Sequence, residues 1–201
     1  QTMDEVYASG QSNARLGGLK YADLDGDGVI DADDQTWIYN PVPDFSYGLN
    51  IALNYKGFDL SMFWQGVYGV DVWNNQKYQT DFWSIDDPGS NKGTRLLNAW
   101  TATNPNSTIP ALTTNNIANE NRSSTYYVEN GSYLKLRTLQ IGYNLPKSVV
   151  KKASMQNARI YLSGSNLLTI KSKSLTCSDP ENPSWNYPLS SSISCGVQIG
   201  F

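Results

Sequence analysis

From Phe45 to Tyr55 the side chains alternate in character without a break. Phe45, Tyr47, Leu49, Ile51, Leu53 and Tyr55 hold one parity, and Ser46, Gly48, Asn50, Ala52 and Asn54 hold the other. Successive residues of a strand point to opposite faces, so this pattern predicts a strand with one apolar and one polar side. Lys56-Gly57 then reads as a tight turn, after which the parity inverts. Phe58, Leu60, Met62 and Trp64 fall on one face and Asp59, Ser61 and Gln65 on the other, with Phe63 intruding on the polar side. Two alternating runs joined by so short a turn predict a β-hairpin over 45–66.

Alternation returns later in the chain. Leu134 and Leu136 share a face over 133–143, but Leu139, Ile141 and Tyr143 continue it with the opposite parity, so a β-bulge is expected near Arg137-Thr138. Leu145-Pro146 ends that strand, and residues 147–153 read as a helical turn. A fourth strand is expected over 158–170, with Ile160 and Leu162 set against Tyr161, Ser163 and Ser165. The last, 192–201, alternates Ile193, Cys195, Val197, Ile199 and Phe201 with Ser194, Gly196, Gln198 and Gly200. The class is therefore all-β, with five strands. Strands of roughly 9–11 residues with aromatics toward their ends suit a transmembrane β-barrel, whose lipid face is apolar and whose interior is polar. The competing architecture is a soluble, secreted β-sandwich, whose strands also alternate. It would bind calcium and carbohydrate, the latter through exposed aromatics.

Between the strands the chain is irregular. Residues 1–19 show weak periodicity, and 19–22 could form a short strand. Residues 67–131 lack sustained alternation and are punctuated by Pro88-Gly89, Asn104-Pro105 and Ile109-Pro110. A short helix is expected over 94–100. Trp73, Trp83 and Trp100 give this segment enough aromatic mass to fold, and packing is the expected role of those rings, ahead of stacking on sugar.

One loop carries recognisable chemistry. In 23–34, counted from Asp23, carboxylates occupy positions 1, 3, 5, 9 and 12 and a glycine, Gly28, occupies position 6. That is the spacing of a twelve-residue calcium loop. Calcium takes six to eight oxygens at about 2.3–2.6 Å, and alternate residues of a tight loop can aim carboxylates at one centre. The expected ligands are Asp23, Asp25, Asp27 and Asp34 through carboxylates and Val29 through its carbonyl, with Asp31 acting through water. Ile30 would anchor the loop to apolar neighbours. Position 12 is Asp34 rather than the usual Glu, as in dockerin loops. With one loop and no internal repeat, dockerin function itself is not expected. A brace for a surface loop is the expected role.

Composition removes several classes. The net charge is −3 and charged residues make up 16% of the chain, against about 25% in ordinary domains. A nucleic-acid partner is not expected. No apolar run is long enough for a transmembrane helix. Without histidine, no Ser-His-Asp or Cys-His centre can form. Asp86, Asp87, Glu120 and Glu129 are candidate acids only by type, so the chain is not expected to be an enzyme. Cys177 and Cys195 allow one disulfide at most, and two unpaired thiols are expected.

Several stretches, taken in order, resemble the C-terminal part of the SusC/RagA-type TonB-linked outer-membrane transporters of Bacteroidetes. They are Leu19-Lys20-Tyr21-Ala22-Asp23-Leu24-Asp25-Gly26-Asp27-Gly28, Pro43-Asp44-Phe45-Ser46-Tyr47-Gly48 and Tyr55-Lys56-Gly57-Phe58-Asp59-Leu60-Ser61. Further on come Gly131-Ser132-Tyr133-Leu134-Lys135-Leu136-Arg137, Ile141-Gly142-Tyr143-Asn144-Leu145-Pro146 and Ser165-Asn166-Leu167-Leu168-Thr169. The resemblance implies the last five strands of a large barrel over 45–201, preceded by an extracellular segment, 1–44, holding the calcium loop. Two further long extracellular loops follow, 67–131 and 171–191, with periplasmic turns at Lys56-Gly57 and 144–157. It also implies the partners: the rest of the same barrel, outer-membrane lipid, a SusD-like surface lipoprotein as lid, and TonB acting on a plug outside this sequence. The implied function is nutrient import, of glycan or peptide.

Overall fold

The computed structural model describes residues 2–83, 91–113, 119–184 and 186–201. Nothing is described of the side chains of Phe82 and Trp83, and Asp86 and Asp87 lie outside the described residues. The elements in chain order are α1 (Met3–Tyr7), β1 (Phe45–Tyr55), β2 (Phe58–Tyr68), β3 (Asp71–Trp73), α2 (Asn75–Tyr78), β4 (Val128–Asn130), β5 (Tyr133–Asn144), α3 (Lys147–Lys152), β6 (Asn157–Lys171) and β7 (Ser192–Gly200). The chain divides into two units, Gln1–Tyr39 with Trp73–Val128, and Asn40–Val72 with Glu129–Phe201.

The second unit is an antiparallel sheet of order β1-β2-β5-β6-β7. All five expected strands are present, within two residues of the expected bounds at each end. The β1–β2 turn places Lys56 at φ +47° and Gly57 at φ +89°. Positive φ at both central residues is what a two-residue hairpin with native twist requires. Phe63 is accommodated on the polar face by glycine. A Cβ built on Gly48 would lie 3.1 Å from the Phe63 ring, so the ring fills room that only glycine leaves.

The expected bulge is real and sits in two ladders at once. Phe63 faces Thr138 while its neighbour Trp64 faces Leu136, which leaves Arg137 unpaired. On the other side Leu136 faces Leu168 and Thr138 faces Ser165. Asn166 takes φ +51° there. The bulge resolves a conflict in the sequence. Tyr133, Lys135 and Arg137 share the polar face before it. After it, Thr138, Gln140 and Gly142 do, which keeps Leu139, Ile141 and Tyr143 apolar-side.

Farther along the same polar face, the Arg159 guanidinium of β6 donates to both carboxylate oxygens of Asp59 on β2, through Nε at 2.9 Å and through Nη2. The two reach each other across β5 at Gly142. A Cβ there would lie 2.5 Å from Asp59 Oδ1 and 2.6 Å from Arg159 Nε.

The apolar face is open. Leu49, Leu53, Phe58, Ile160, Leu162, Ile193, Val197 and Ile199 are all exposed. Among the described residues no second sheet covers it, since the other paired strands, β3 and β4, form a two-stranded ribbon. The sandwich alternative requires such a cover and does not have it. Among the described residues no helix is long and apolar enough to cross a membrane.

The first unit has little regular structure. The expected strand over 19–22 does not form, and the segment expected to be irregular begins instead with α1, closed by a capping box between Thr2 and Glu5. The helix expected over 94–100 is a 3-10 turn, Thr94–Asn98. Buried polar contacts hold the unit together. The Arg15 guanidinium donates to the Glu120 carboxylate, which also accepts the Leu19 N–H at 2.7 Å. Arg95 and the Tyr126 hydroxyl, the latter at 2.6 Å, donate to Asp81. Burial pushes the Tyr126 and Tyr127 hydroxyls far above their ordinary range and that of Tyr21 to about 12.

Trp73 packs its ring 5.1 Å from Tyr127 and 5.7 Å from Tyr78, and Trp100 lies against Gly17, where a Cβ would come within 2.4 Å of the indole. Both tryptophans pack within their unit, while Trp83 lies beyond the described side chains.

Candidate metal centre

The loop over 23–34 has turns and bends but no flanking helix. Its carboxylates organise its own backbone. Asp23 accepts N–H bonds from Gly26 at 2.6 Å and from Gly28 at 2.9 Å. Asp25 accepts from Asp27 at 3.2 Å, and Asp27 from Val29 at 2.7 Å. Gly26 at φ +81° and Gly28 at φ +84° supply the two left-handed residues that this curl needs. Short Asp side chains reach the amides two to five residues on, which is why an Asp-Gly sequence folds this way locally.

The result gathers Asp23, Asp25 and Asp27, each offering a carboxylate oxygen within 4.8 Å of the others. All three are exposed, and among the described residues no lysine or arginine forms an ion pair with them. Three carboxylates at that separation repel unless a cation lies between them, and hard oxygen donors suit calcium. The residues present therefore fit the ion, and Asp23, Asp25 and Asp27 would hold it.

The other expected ligands do not join that cluster. Asp34 turns its two oxygens to the N–H groups of Leu24, at 2.5 Å, and Asp31, at 3.0 Å. Those bonds hold its carboxyl below the usual carboxylate range and close position 12 of the loop onto position 2. Asp31 accepts from the Asp33 N–H at 2.8 Å. Val29 is exposed, and its N–H is committed to Asp27.

Gly10 was not anticipated. Its carbonyl accepts the Ile30 N–H at 3.3 Å, so backbone pairing ties half-buried Ile30 to Gly10. It stands at φ +62°, and a Cβ on it would fall 2.1 Å from the Gly28 carbonyl oxygen. No spacing rule links a glycine thirteen residues upstream of Asp23 to the loop; its place between Ser9 and Gln11 was the only signal.

The two candidate acids among the described residues, Glu120 and Glu129, make structural contacts. Glu120 is spent on Arg15 and Leu19, and Glu129 accepts from the Thr176 N–H and hydroxyl, each at 2.8 Å. Cys177 and Cys195 are both free thiols.

No family model matches the chain. It is 39% identical over 153 residues to TonB-dependent receptor P3 of Formosa agariphila, a match covering 76% of this chain and 14% of that protein. It is 30% identical over 217 residues to TonB-dependent receptor P26 of the same organism, covering 100% of this chain and 21% of the relative. The chain thus spans no more than about a fifth of the length of these relatives. Among solved structures it resembles the RagAB peptide importer in its closed-closed state, with TM-score 0.68, 29% identity, and 89% of this chain and 20% of that one covered. The open-open state gives TM-score 0.66 at 28% identity, covering 90% of this chain and 20% of that one. These relatives are named as receptors and transporters, not enzymes. With its one-sided sheet and open apolar face, the chain belongs to the SusC/RagA-type TonB-dependent receptors, as a segment of their outer-membrane β-barrel.

Proposed function

We propose that this segment forms part of the wall of a TonB-dependent importer in the outer membrane. The observation that supports the reading most strongly is the five-stranded sheet whose apolar face has no cover among the described residues. Lipid is the solvent that such a face suits. The polar face, with Ser46, Asn50, Asp59, Gln65, Gln140, Ser163 and Gln198, then lines the interior. Import draws on TonB through a plug outside this sequence, and a SusD-like surface lipoprotein serves as the lid. The cargo is a glycan or a peptide, and the likeness to RagAB, a peptide importer, favours peptide. In cells carrying the full-length protein, uptake of a fluorescent oligopeptide is expected, and it should collapse when TonB is deleted. Uptake indifferent to TonB would overturn the reading.

Calcium is the proposed brace of the loop over 23–34, held by Asp23, Asp25 and Asp27. Asp34 and the Val29 carbonyl complete the set on rearrangement, and Asp31 contributes through water. The ion removes the mutual repulsion of the carboxylates and fixes a loop that is otherwise exposed along most of its length. In the full-length protein, millimolar calcium should slow tryptic cleavage after Lys20 by roughly tenfold, because binding stabilises only the closed loop. Asp25→Asn should remove most of that protection. Equal cleavage with calcium and with chelator would reject the brace.

A further inference from the structure

On the polar face of β5 three donors converge on one carboxylate. The Tyr133 hydroxyl donates to Glu181 Oε1 at 2.7 Å, Lys135 Nζ to Oε2 at 2.6 Å, and Arg137 to Oε1. Lys135 also donates to Asp179 Oδ1 at 2.8 Å. The backbone carrying those acids is tied down on both sides. Thr176 donates twice to Glu129, and the Lys171 ammonium donates to the Cys177 carbonyl. Asp179 accepts the Glu181 N–H at 3.0 Å, within a turn where the Asn182 N–H reaches the Asp179 carbonyl at 3.2 Å.

The two acids are not equivalent. The side chains of Lys135 and Asp179 are 2% and 7% exposed, whereas those of Arg137 and Glu181 are 19% and 23% exposed. If Glu181 leaves, Lys135 keeps its partner, Arg137 keeps Gln65 at 2.8 Å, and no buried charge is stranded. If Asp179 leaves, the buried ammonium keeps only the part-exposed Glu181, which makes this the costlier loss. Burial works to raise both carboxyls, but hydrogen bonds from Lys135 lead the opposing effects and hold both below the usual carboxylate range. Both are therefore ionised at neutral pH. Their contribution is lost only as pH falls through those lowered values.

We propose that residues 175–182 are a strap latched to the polar face of β5 in two stages, with Asp179 as a fixed pin and Glu181 as a releasable clasp. Releasing Glu181 loosens the C-terminal end of the strap while Asp179 stays pinned and the sheet beneath stays folded. Tyr133, Lys135 and Arg137 fall on one face by strand alternation, immediately before the bulge, so the clasp is built into the strand. Within the strap Cys177 is fully buried, its thiol donating to the Asp179 carbonyl at 3.5 Å, which makes it a natural reporter. The inference rests on the barrel reading only for the side of the membrane from which the strap is reached.

The test uses the full-length protein in intact cells and a membrane-impermeant maleimide, with modification of the Cys177 peptide read by mass spectrometry. The native protein should label slowly. Glu181→Gln should label about tenfold faster or more, with the heat-modifiable gel mobility of the folded barrel unchanged, and Glu181→Asp should restore most of the shielding. Molar salt should accelerate labelling of the native protein, because the clasp is part-exposed. Equal rates for native protein and a folded Glu181→Gln variant would overturn the proposal, as would a native rate insensitive to salt. Acceleration seen only after the outer membrane is ruptured would support the latch and refute the external placement of 171–191.

Discussion

Produced without the remaining strands of a complete barrel, this segment will aggregate rather than give a monodisperse monomer. Among the described residues β1 and β7 end the sheet, so each has one edge of N–H and C=O groups with no strand beside it. In hydrocarbon each such group costs several kcal/mol. In water the opposite problem dominates. The apolar face leaves Leu53 57%, Val197 61% and Ile193 71% exposed, a patch that drives association. Five strands cannot escape by closing on themselves, since single-chain bacterial barrels need at least about eight. The check is expression of residues 1–201 alone, extraction in mild detergent and gel filtration, beside co-expression with the upstream portion of a full-length protein. Rescue by the upstream portion is the expected result. A monodisperse β-protein that melts cooperatively by itself would show that the edges and the face are satisfied within this chain.

Replacing Glu120 by alanine should loosen the first unit. Its side chain is 1% exposed and satisfies Arg15 and the Leu19 N–H together. Breaking a buried pair from one side costs about 3–5 kcal/mol. Arg15 is 24% exposed and partly recovers water, which lowers the expectation to about 2–4 kcal/mol. The same loss frees residues 15–19, so trypsin should cut after Arg15 in the full-length protein about a hundredfold faster. Glu120→Gln keeps one acceptor oxygen where the carboxylate offered two, so it should recover only part of the resistance. Unchanged cleavage in the alanine variant would show that the pair is dispensable.

The strands were legible in the sequence because alternation is a local signal. Phe45 to Tyr55 states its two faces residue by residue, and even the bulge at Arg137 announced itself as a change of parity. The gathering of Asp23, Asp25 and Asp27 was legible for a similar reason, since their alternate spacing in an Asp-Gly curl is local. What the sequence hid depends on distant partners. Arg15 and Glu120 meet across 105 positions with no periodicity to join them. Lys135 and Arg137 read as ordinary polar-face residues of a strand until the acids of 179–181 arrive. Where a strand was expected at 19–22, Leu19 and Tyr21 spend their N–H groups on the side chains of Glu120 and Gln11, so neither is left for a neighbouring strand. Gly10 was invisible because its constraint lies in a carbonyl it touches only after folding.

The Asp59–Arg159 clasp over Gly142 has a consequence for assembly. It joins β2 to β6 across β5, which makes room for it at Gly142 and adds an Asn144 amide hydrogen bond to Asp59 at 3.3 Å. Slip β5 by one residue against either neighbour and a larger side chain moves under the clasp, while Gly142 turns to lipid. Two pairing ladders are thus proofread by one contact, which closes only when both are correct. For a sheet inserted strand by strand into a membrane, where a misregistered ladder has few routes back, such a contact works as a checksum on the register before the barrel is sealed.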